Sequence, residues 1–202
     1  LDTDLYKFTT SYAYSKLYPR AYGQFRFIDR GKTTYPQGFA EELKKELQEM
    51  SKLALTKDEA SFLSRELPYL PPTYIDFVRG FRFDPEEVKV EQDAEGHLSI
   101  IAEGLLYRVT LWETPILALV SELYYKMLGA QPDMEYTERT IISKARKLAE
   151  HGITFSMFGM RRRFSAAIED RVTELLKEHA AGYLFGTSNV YYAYKHGLRV
   201  SG

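Results

Sequence analysis

Cysteine is absent from this sequence of 202 residues. Its absence excludes disulfide bridges, thiolate metal ligands and cysteine nucleophiles, and it fits a reducing compartment such as the cytoplasm. A charge excess is lacking too, because 27 basic and 28 acidic residues leave a formal net charge of −1. No apolar run reaches the length that spans a membrane. We therefore expect neither a nucleic acid bound through bulk charge nor a membrane as partner.

Histidine is scarce, and the four that occur form no metal-binding pattern. His97 lies in a predicted hairpin, whereas His151, His179 and His196 lie near predicted helix ends, where a cation is favourable. None is paired with a second histidine at metal-ligand spacing, so we expect no protein metal site and no catalytic histidine among them. Nucleophile elbows, P-loops and dinucleotide-binding fingerprints are also missing.

The first part of the chain, residues 1–110, is predicted to form a small α+β domain. Apolar spacing and capping residues indicate its elements. The predicted helices cover 4–18 (with Asp4 as a possible cap), 36–53, a stretch that opens at Thr56, and 71–81. The predicted strands cover 24–28, 88–90, 98–101 and 104–112, and the second and third of these form a hairpin around Asp93–Gly96.

Residues 111–202 alternate helix with strand. The predicted helices cover 115–128, 135–150, 163–180 and 189–195, and the predicted strands cover 153–157, 183–185 and 198–200. This alternation favours a parallel sheet with right-handed crossovers, at the opening of an α/β barrel or a wound sheet. The sequence begins with Leu1 instead of Met and ends just after a predicted strand, so we expect it to be a fragment.

Two predicted strands are followed by turns that could bind an anion. The first turn has the sequence Phe158-Gly-Met-Arg-Arg-Arg-Phe-Ser165, and the second has Gly186-Thr-Ser-Asn189. In α/β structures ligands bind where strands give way to helices, and a helix N-terminus adds unpaired N–H donors. A cationic turn beside a hydroxyl turn therefore indicates a site for an anionic ligand.

Each of these features also has a purely structural interpretation. The arginines could be solvated and pair with Glu169 or Asp170. Phe158 could belong to the core instead of stacking on a planar ring. The Ser188 and Asn189 side chains could simply cap the next helix. The residues alone leave these alternatives open.

Five ordered motifs resemble nicotinate phosphoribosyltransferases, and the resemblance runs from the first residue to the last. The motifs are DTDLYKFT at 2–9, FRFIDRG at 25–31, WETP at 112–115, FGMRRRFS at 158–165 and GTSNV at 186–190. The resemblance implies a smaller α+β domain (1–110) followed by the opening βα units of an irregular α/β barrel (111–202). It implies an enzyme that joins nicotinate to phosphoribosyl pyrophosphate in NAD salvage, with Mg²⁺ on the pyrophosphate and ATP as co-substrate.

The resemblance also implies roles for individual residues. Phe158 would stack on the pyridine ring, and Arg161 would face the substrate carboxylate or the adjacent phosphates. Tyr6 would stack on the other ring face from a second subunit of a homodimer with shared sites. Arg30 of that subunit would contact phosphate, and Thr187 is a further phosphate-binding candidate. No catalytic residue is expected within this chain, because the family's phosphohistidine segment would follow Gly202.

Ser188 stands where nicotinamide-using relatives carry an aspartate, so the acid is expected to be the substrate. Two departures from the family pattern, Met157 and Met160, put the role of each arginine in doubt. A nicotinamide-preferring relative remains the closest alternative. An inactive fragment or interaction module is the alternative from another functional class.

Overall fold

A computed structural model describes residues 1–202 as a mixed α/β structure with nine α-helices and six β-strands. The helices are α1 (Leu5–Leu17), α2 (Phe39–Met50), α3 (Lys57–Glu66), α4 (Pro72–Gly80), α5 (Leu106–Val109), α6 (Glu113–Met127), α7 (Met134–Glu150), α8 (Ala166–His179) and α9 (Val190–His196). The strands are β1 (Tyr22–Arg26), β2 (Val88–Gln92), β3 (Leu98–Leu105), β4 (Phe155–Met157), β5 (Leu184–Thr187) and β6 (Arg199–Val200).

Strands β1, β3 and β2 form an antiparallel sheet in that order. The predicted hairpin is confirmed, because Val90 pairs with Ile100 across β2 and β3. Helices α2 and α6 bury one face of this sheet in a shared apolar core. The predicted stripe of α2 is confirmed as well, since all four of its apolar residues are buried: Phe39, Leu43, Leu47 and Met50.

The predicted strand over 104–112 is wrong. Strand β3 ends at Leu105, and the chain continues as α5 and then a 3₁₀ helix over Thr110–Trp112. Residues 109–112 are all buried, which the two-sided alternation of a half-buried strand does not allow. Trp112 shows the tertiary reason, because its indole N–H donates to Glu87 at 2.9 Å.

Strands β4, β5 and β6 form a second sheet, and all its pairs are parallel. The alternation of helix and strand in 135–200 therefore predicted the correct sheet type. Helices α7 and α8 pack together, and a small apolar cluster lies between them and β4. Gly186 permits the close approach of β5 and β6, because a Cβ there would lie 2.3 Å from the Arg199 carbonyl oxygen.

A third apolar cluster joins early and late parts of the chain. Leu5 and Phe8 of α1 and residues of α3 and α4 pack with Val190 and Ala193 of α9. Helix α3 begins with the predicted capping box at Thr56, which is confirmed. The predicted boundary between residues 110 and 111 stays a prediction. None of the nine α-helices combines the length and the apolar character needed to cross a membrane.

Candidate functional site

The N-terminal segment lies against the turn that follows β5. The Leu5 amide donates to the Ser188 carbonyl at 2.8 Å, and the Val190 amide donates to the Thr3 carbonyl at 3.0 Å. Asp4 and Asn189 form an antiparallel bridge between these two contacts. The pairing brings the Asp4 side chain to the carboxyl end of the parallel sheet, where ligands bind in α/β structures.

The two turns singled out in the sequence are neighbours in the structure. The Ser188 amide donates to the Met157 carbonyl at 3.0 Å, so the residues after β5 lie beside the end of β4. Phe158 is the next residue after Met157, and its side chain is 66% exposed. An exposed aromatic ring at a strand end suits stacking on a planar ligand, and the core-packing alternative for Phe158 is wrong.

Asp4 links Ser188 to Arg161. One oxygen of its buried carboxylate accepts from the Ser188 hydroxyl at 2.6 Å, and the other accepts from Arg161 Nε at 3.2 Å. The predicted capping of α1 by the Asp4 side chain is wrong, because the carboxylate makes these long-range contacts instead. Ser188 is only 2% exposed, and the hydrogen-bond partner of its hydroxyl is Asp4.

Tyr6 completes the group around Arg161. Its hydroxyl accepts from Arg161 Nη2 at 3.1 Å and donates to Glu113 Oε1 at 3.0 Å. Burial and the charge of Glu113 raise the pKa of Tyr6, so the phenol stays protonated at neutral pH. Tyr6 and Arg161 thus meet within one chain, and the role of Tyr6 across a dimer stays a prediction.

The three consecutive arginines have three different environments. The side chain of Arg163 is 7% exposed, and it donates to both oxygens of Asp2 and to the carboxylates of Glu122 and Glu169. The alternative that pairs the arginines with Glu169 is therefore confirmed for Arg163. Arg162 is exposed, and Arg161 has 45% of its side chain exposed. Arg161 is the arginine that is both held in place and open to a ligand.

The local backbone explains this division among the arginines. Residues Met160–Arg162 form a 3₁₀ turn, and α8 begins only at Ala166, with Ser165 as its N-cap. The predicted helix start at Arg163 is therefore three residues too early. Because successive side chains on a 3₁₀ turn point about 120° apart, Arg161 and Arg163 face different neighbours.

Glu169 of α8 is buried beside this turn. Its Oε2 accepts from Arg163 Nη1 at 3.0 Å, but Oε1 is buried without a hydrogen-bond partner. Burial raises the pKa of Glu169 to about 7 despite the neighbouring guanidinium. Loss of hydration on burial is the main cause, and the negative charges of Asp2 and Asp4 raise the pKa further.

Two predicted phosphate ligands do not join this group. Arg30 lies in the exposed loop after β1. Thr187 is buried within β5, and its hydroxyl accepts from the Asn189 amide at 3.2 Å. That contact shapes the turn, and the side chain of Asn189 also caps α9, as the structural alternative held for this residue. The phosphate roles of Arg30 and Thr187 stay predictions.

A cavity of about 450 Å³ is lined by Arg163 together with residues of α4 and α6. Fifteen of its 20 lining residues are hydrophobic, and none of them is Phe158, Arg161 or Ser188. The candidate site is therefore the more open surface around Arg161, where an aromatic ring and a guanidinium stand beside the ends of two parallel strands. That surface suits a flat anionic ligand.

Comparisons with known proteins agree with this geometry. Residues 1–121 match the model for the nicotinate phosphoribosyltransferase (NAPRTase) N-terminal domain, and residues 153–202 match the model for the NAPRTase family. The chain belongs to the nicotinate phosphoribosyltransferase family. Both strand-end turns of the candidate site lie within the second match.

Curated relatives and solved structures carry the same family name. The nicotinate phosphoribosyltransferase of Chromohalobacter salexigens is 41% identical over 206 residues, covering all of this chain and 52% of its own length. That of Methanococcoides burtonii is 36% identical and is covered to 53%. A crystal structure of the Porphyromonas gingivalis enzyme has 65% identity and a TM-score of 0.97, with 52% of it covered. The chain thus spans about half the length of the relatives it matches.

Three contributors to the site were missed in the sequence. Asp4 was assigned a local capping role, and neither Glu113 nor Lys7 was given any role. Glu113 and Lys7 lie 106 residues apart, and Asp4 and Ser188 lie 184 apart. No local pattern reveals such pairs. The only signal was that all of these residues fall within the ordered motifs of the family.

Proposed function

We propose that the full-length protein carrying this chain is a nicotinate phosphoribosyltransferase that condenses nicotinate with phosphoribosyl pyrophosphate. The products would be nicotinate mononucleotide and pyrophosphate. The observation that carries this proposal is Arg161, a half-exposed guanidinium held by Asp4 and Tyr6 beside the exposed ring of Phe158. Membership of the family supports the reaction, and the surface around Arg161 supports an acid as the substrate.

In this proposal the residues around Arg161 bind and orient the pyridine acid. Phe158 stacks on the pyridine ring, and Tyr6 of the same chain lies beside that ring. Arg161 offers a planar fork to the carboxylate, with charge-assisted hydrogen bonds that a neutral amide would not match. Ser188 adds no negative charge that would repel the carboxylate. Arg30 of the partner subunit would contact a phosphate of the substrate.

The proposed reaction depends mainly on how the two substrates are positioned. The ring nitrogen attacks the anomeric carbon as the bond to pyrophosphate breaks, and the leaving group departs with that bond's electron pair. The chain has no group of three or more His, Cys, Asp or Glu residues able to hold a metal ion. In the proposal, Mg²⁺ enters as part of the bound pyrophosphate substrate.

Further parts of the proposal follow from the family. ATP hydrolysis would assist the reaction, through a phosphohistidine outside these 202 residues. The parallel sheet β4–β5–β6 would be the opening of an irregular α/β barrel, and the protein would act as a homodimer. The absence of cysteine is compatible with the reducing cytoplasm, where we propose that it works.

The decisive experiment is a steady-state assay of the full-length protein with phosphoribosyl pyrophosphate, Mg²⁺ and either nicotinate or nicotinamide. We expect kcat/KM to favour nicotinate by at least about tenfold, the ratio that corresponds to one charge-assisted hydrogen bond. A preference for nicotinamide would establish the alternative substrate. The 202-residue chain by itself is expected to form no product.

A further inference from the structure

Glu113, in the Trp112–Pro115 motif, stands at a junction of three elements. It opens helix α6, where the helix dipole favours a negative charge. Its Oε1 accepts from the Tyr6 hydroxyl of α1 at 3.0 Å and lies 4.0 Å from Arg161 Nη1 of the 3₁₀ turn. Its Oε2 pairs with Lys7 Nζ of α1. Glu113 therefore contacts Tyr6 and Arg161, two of the residues that border the open surface of the site.

Lys7 holds the Glu113 carboxylate in place. Its side chain is only 2% exposed, and Nζ lies 3.5 Å from the Thr110 hydroxyl and over the rings of Tyr6 and Phe25. Burial lowers the pKa of Lys7, and the Glu113 carboxylate opposes that effect. A buried ammonium group without a charged partner is costly, so removal of the Glu113 carboxylate would leave the Lys7 charge uncompensated.

The Tyr6 hydroxyl has only one possible orientation in this arrangement. A carboxylate can only accept hydrogen bonds and a guanidinium can only donate them. The single phenolic proton must therefore point to Glu113, which leaves the oxygen lone pairs for Arg161 Nη2 at 3.1 Å. Replacing the Glu113 carboxylate by an amide removes this constraint, because an amide can donate as well as accept.

We propose that Glu113 is a positioning residue for recognition of the pyridine carboxylate, acting through Tyr6 and Arg161. This inference rests on the proposed function. Glu113 holds the Tyr6 ring and the Arg161 guanidinium in their binding positions before the ligand arrives, which spares the ligand the cost of ordering them. Lys7 serves as the buried counter-charge that keeps Glu113 itself in place.

The test compares four variants of the full-length protein: Glu113→Gln, Lys7→Met, the double variant, and Glu46→Gln as control. Glu46 lies on α2 and pairs at the surface with Lys126, at the far end of α6 from Glu113. We expect Glu113→Gln to raise KM for nicotinate about tenfold, with smaller changes in kcat and in KM for phosphoribosyl pyrophosphate. The control should match the wild type in all three parameters.

The double variant separates positioning from stability. Glu113→Gln alone leaves Lys7 charged and buried, so its Tm should fall, whereas the neutral double variant should regain most of that loss. The KM for nicotinate should nevertheless stay raised in the double variant. If KM returns to the wild-type value together with Tm, Glu113 has only a structural role and the proposal is overturned.

A second cycle tests whether Glu113 acts through Tyr6. If it does, adding Glu113→Gln to Tyr6→Phe should raise KM for nicotinate by much less than it does in the wild type. Fully additive effects would refute this route.

A crystal structure of the Glu113→Gln protein provides a readout that does not depend on activity. We expect Arg161 to leave its contact with the Tyr6 hydroxyl. An Arg161 guanidinium that keeps both the Tyr6 and the Asp4 contacts would reject the inference, even if the wild type proved inactive. Lack of activity in the wild type would instead reject the proposed function.

Discussion

At the scale of single residues, Glu169 gives the structure a pH-dependent component. Its folded-state pKa of about 7 lies above the ordinary value of 4.5. The folded state therefore binds a proton that the unfolded state has already released between these two values. This contribution to stability is complete below about pH 4.5 and is lost as the pH rises to about 7. The shift corresponds to roughly 3 kcal/mol.

We expect Glu169→Gln to remove this pH dependence, because glutamine mimics the protonated acid and its amide oxygen can still accept from Arg163. The free energy of unfolding of the variant, relative to the wild type, should rise between pH 4.5 and 7 in denaturant titrations. Glu178→Gln, on an exposed site of the same helix α8, is the matched control. Parallel pH profiles for Glu169→Gln and the wild type would contradict the raised pKa.

Ser188 provides the second prediction at this scale. Ser188→Asp should shift relative kcat/KM from nicotinate towards nicotinamide, because a new carboxylate repels the acid and accepts from the amide. The structure adds a cost, since the Ser188 hydroxyl donates to Asp4 at 2.6 Å and a second carboxylate there would meet a like charge. We therefore expect a lower Tm as well.

Adding Asp4→Asn to Ser188→Asp should restore part of the Tm, because the asparagine amide can donate to the new carboxylate and so reverse the hydrogen bond. The ratio of kcat/KM for acid and amide is the measurement that tests specificity. An unchanged ratio in both variants would remove Ser188 from the list of specificity-determining residues.

At the scale of elements, the sequence predicted the features that depend on neighbours along the chain. The capping box at Thr56 needs only residues three apart, and the buried stripe of α2 needs only helical periodicity. The alternation of helix and strand after residue 134 predicted the parallel sheet, because this alternation is also a pattern along the chain. Where local pattern and tertiary packing agree, prediction succeeded.

The failures at this scale have a common cause. Residues 104–112 were predicted to form a strand, but contacts such as Trp112 to Glu87 decide their conformation. Asp4 looks like a helix cap, yet its partners lie 157 and 184 residues away. Of the candidate site, the two strand-end turns were predictable from the sequence, whereas the network of Asp4, Lys7 and Glu113 was not.

At the scale of the whole molecule, the proposed dimer makes two opposite predictions. Tyr6 contacts Arg161 in its own chain, whereas Arg30 lies in an exposed loop. Mixed dimers of Arg30→Ala and Arg161→Ala chains should recover some activity, because one of the two sites would then contain both native residues. Mixed dimers of Tyr6→Ala and Arg161→Ala chains should not.

The measurement is the turnover rate after the two inactive chains are unfolded and refolded together, compared with each chain refolded alone. Recovery in the Tyr6 mixture would show that this residue acts across the subunit boundary. No recovery in the Arg30 mixture would place each active site within one chain.

The pairing of the N-terminal segment with the turn after β5 also dictates when the site can form. The side-chain amide of Asn189 donates to Asp2 across 187 residues, and Arg161 donates to Asp4 across 157. Contacts this distant close only after the intervening chain has folded. During synthesis, the amino-terminal residues can make these contacts only after Asn189 has left the ribosome. The surface around Arg161 can therefore form only after the chain through Asn189 has been made, and a nascent chain halted before that point would lack it.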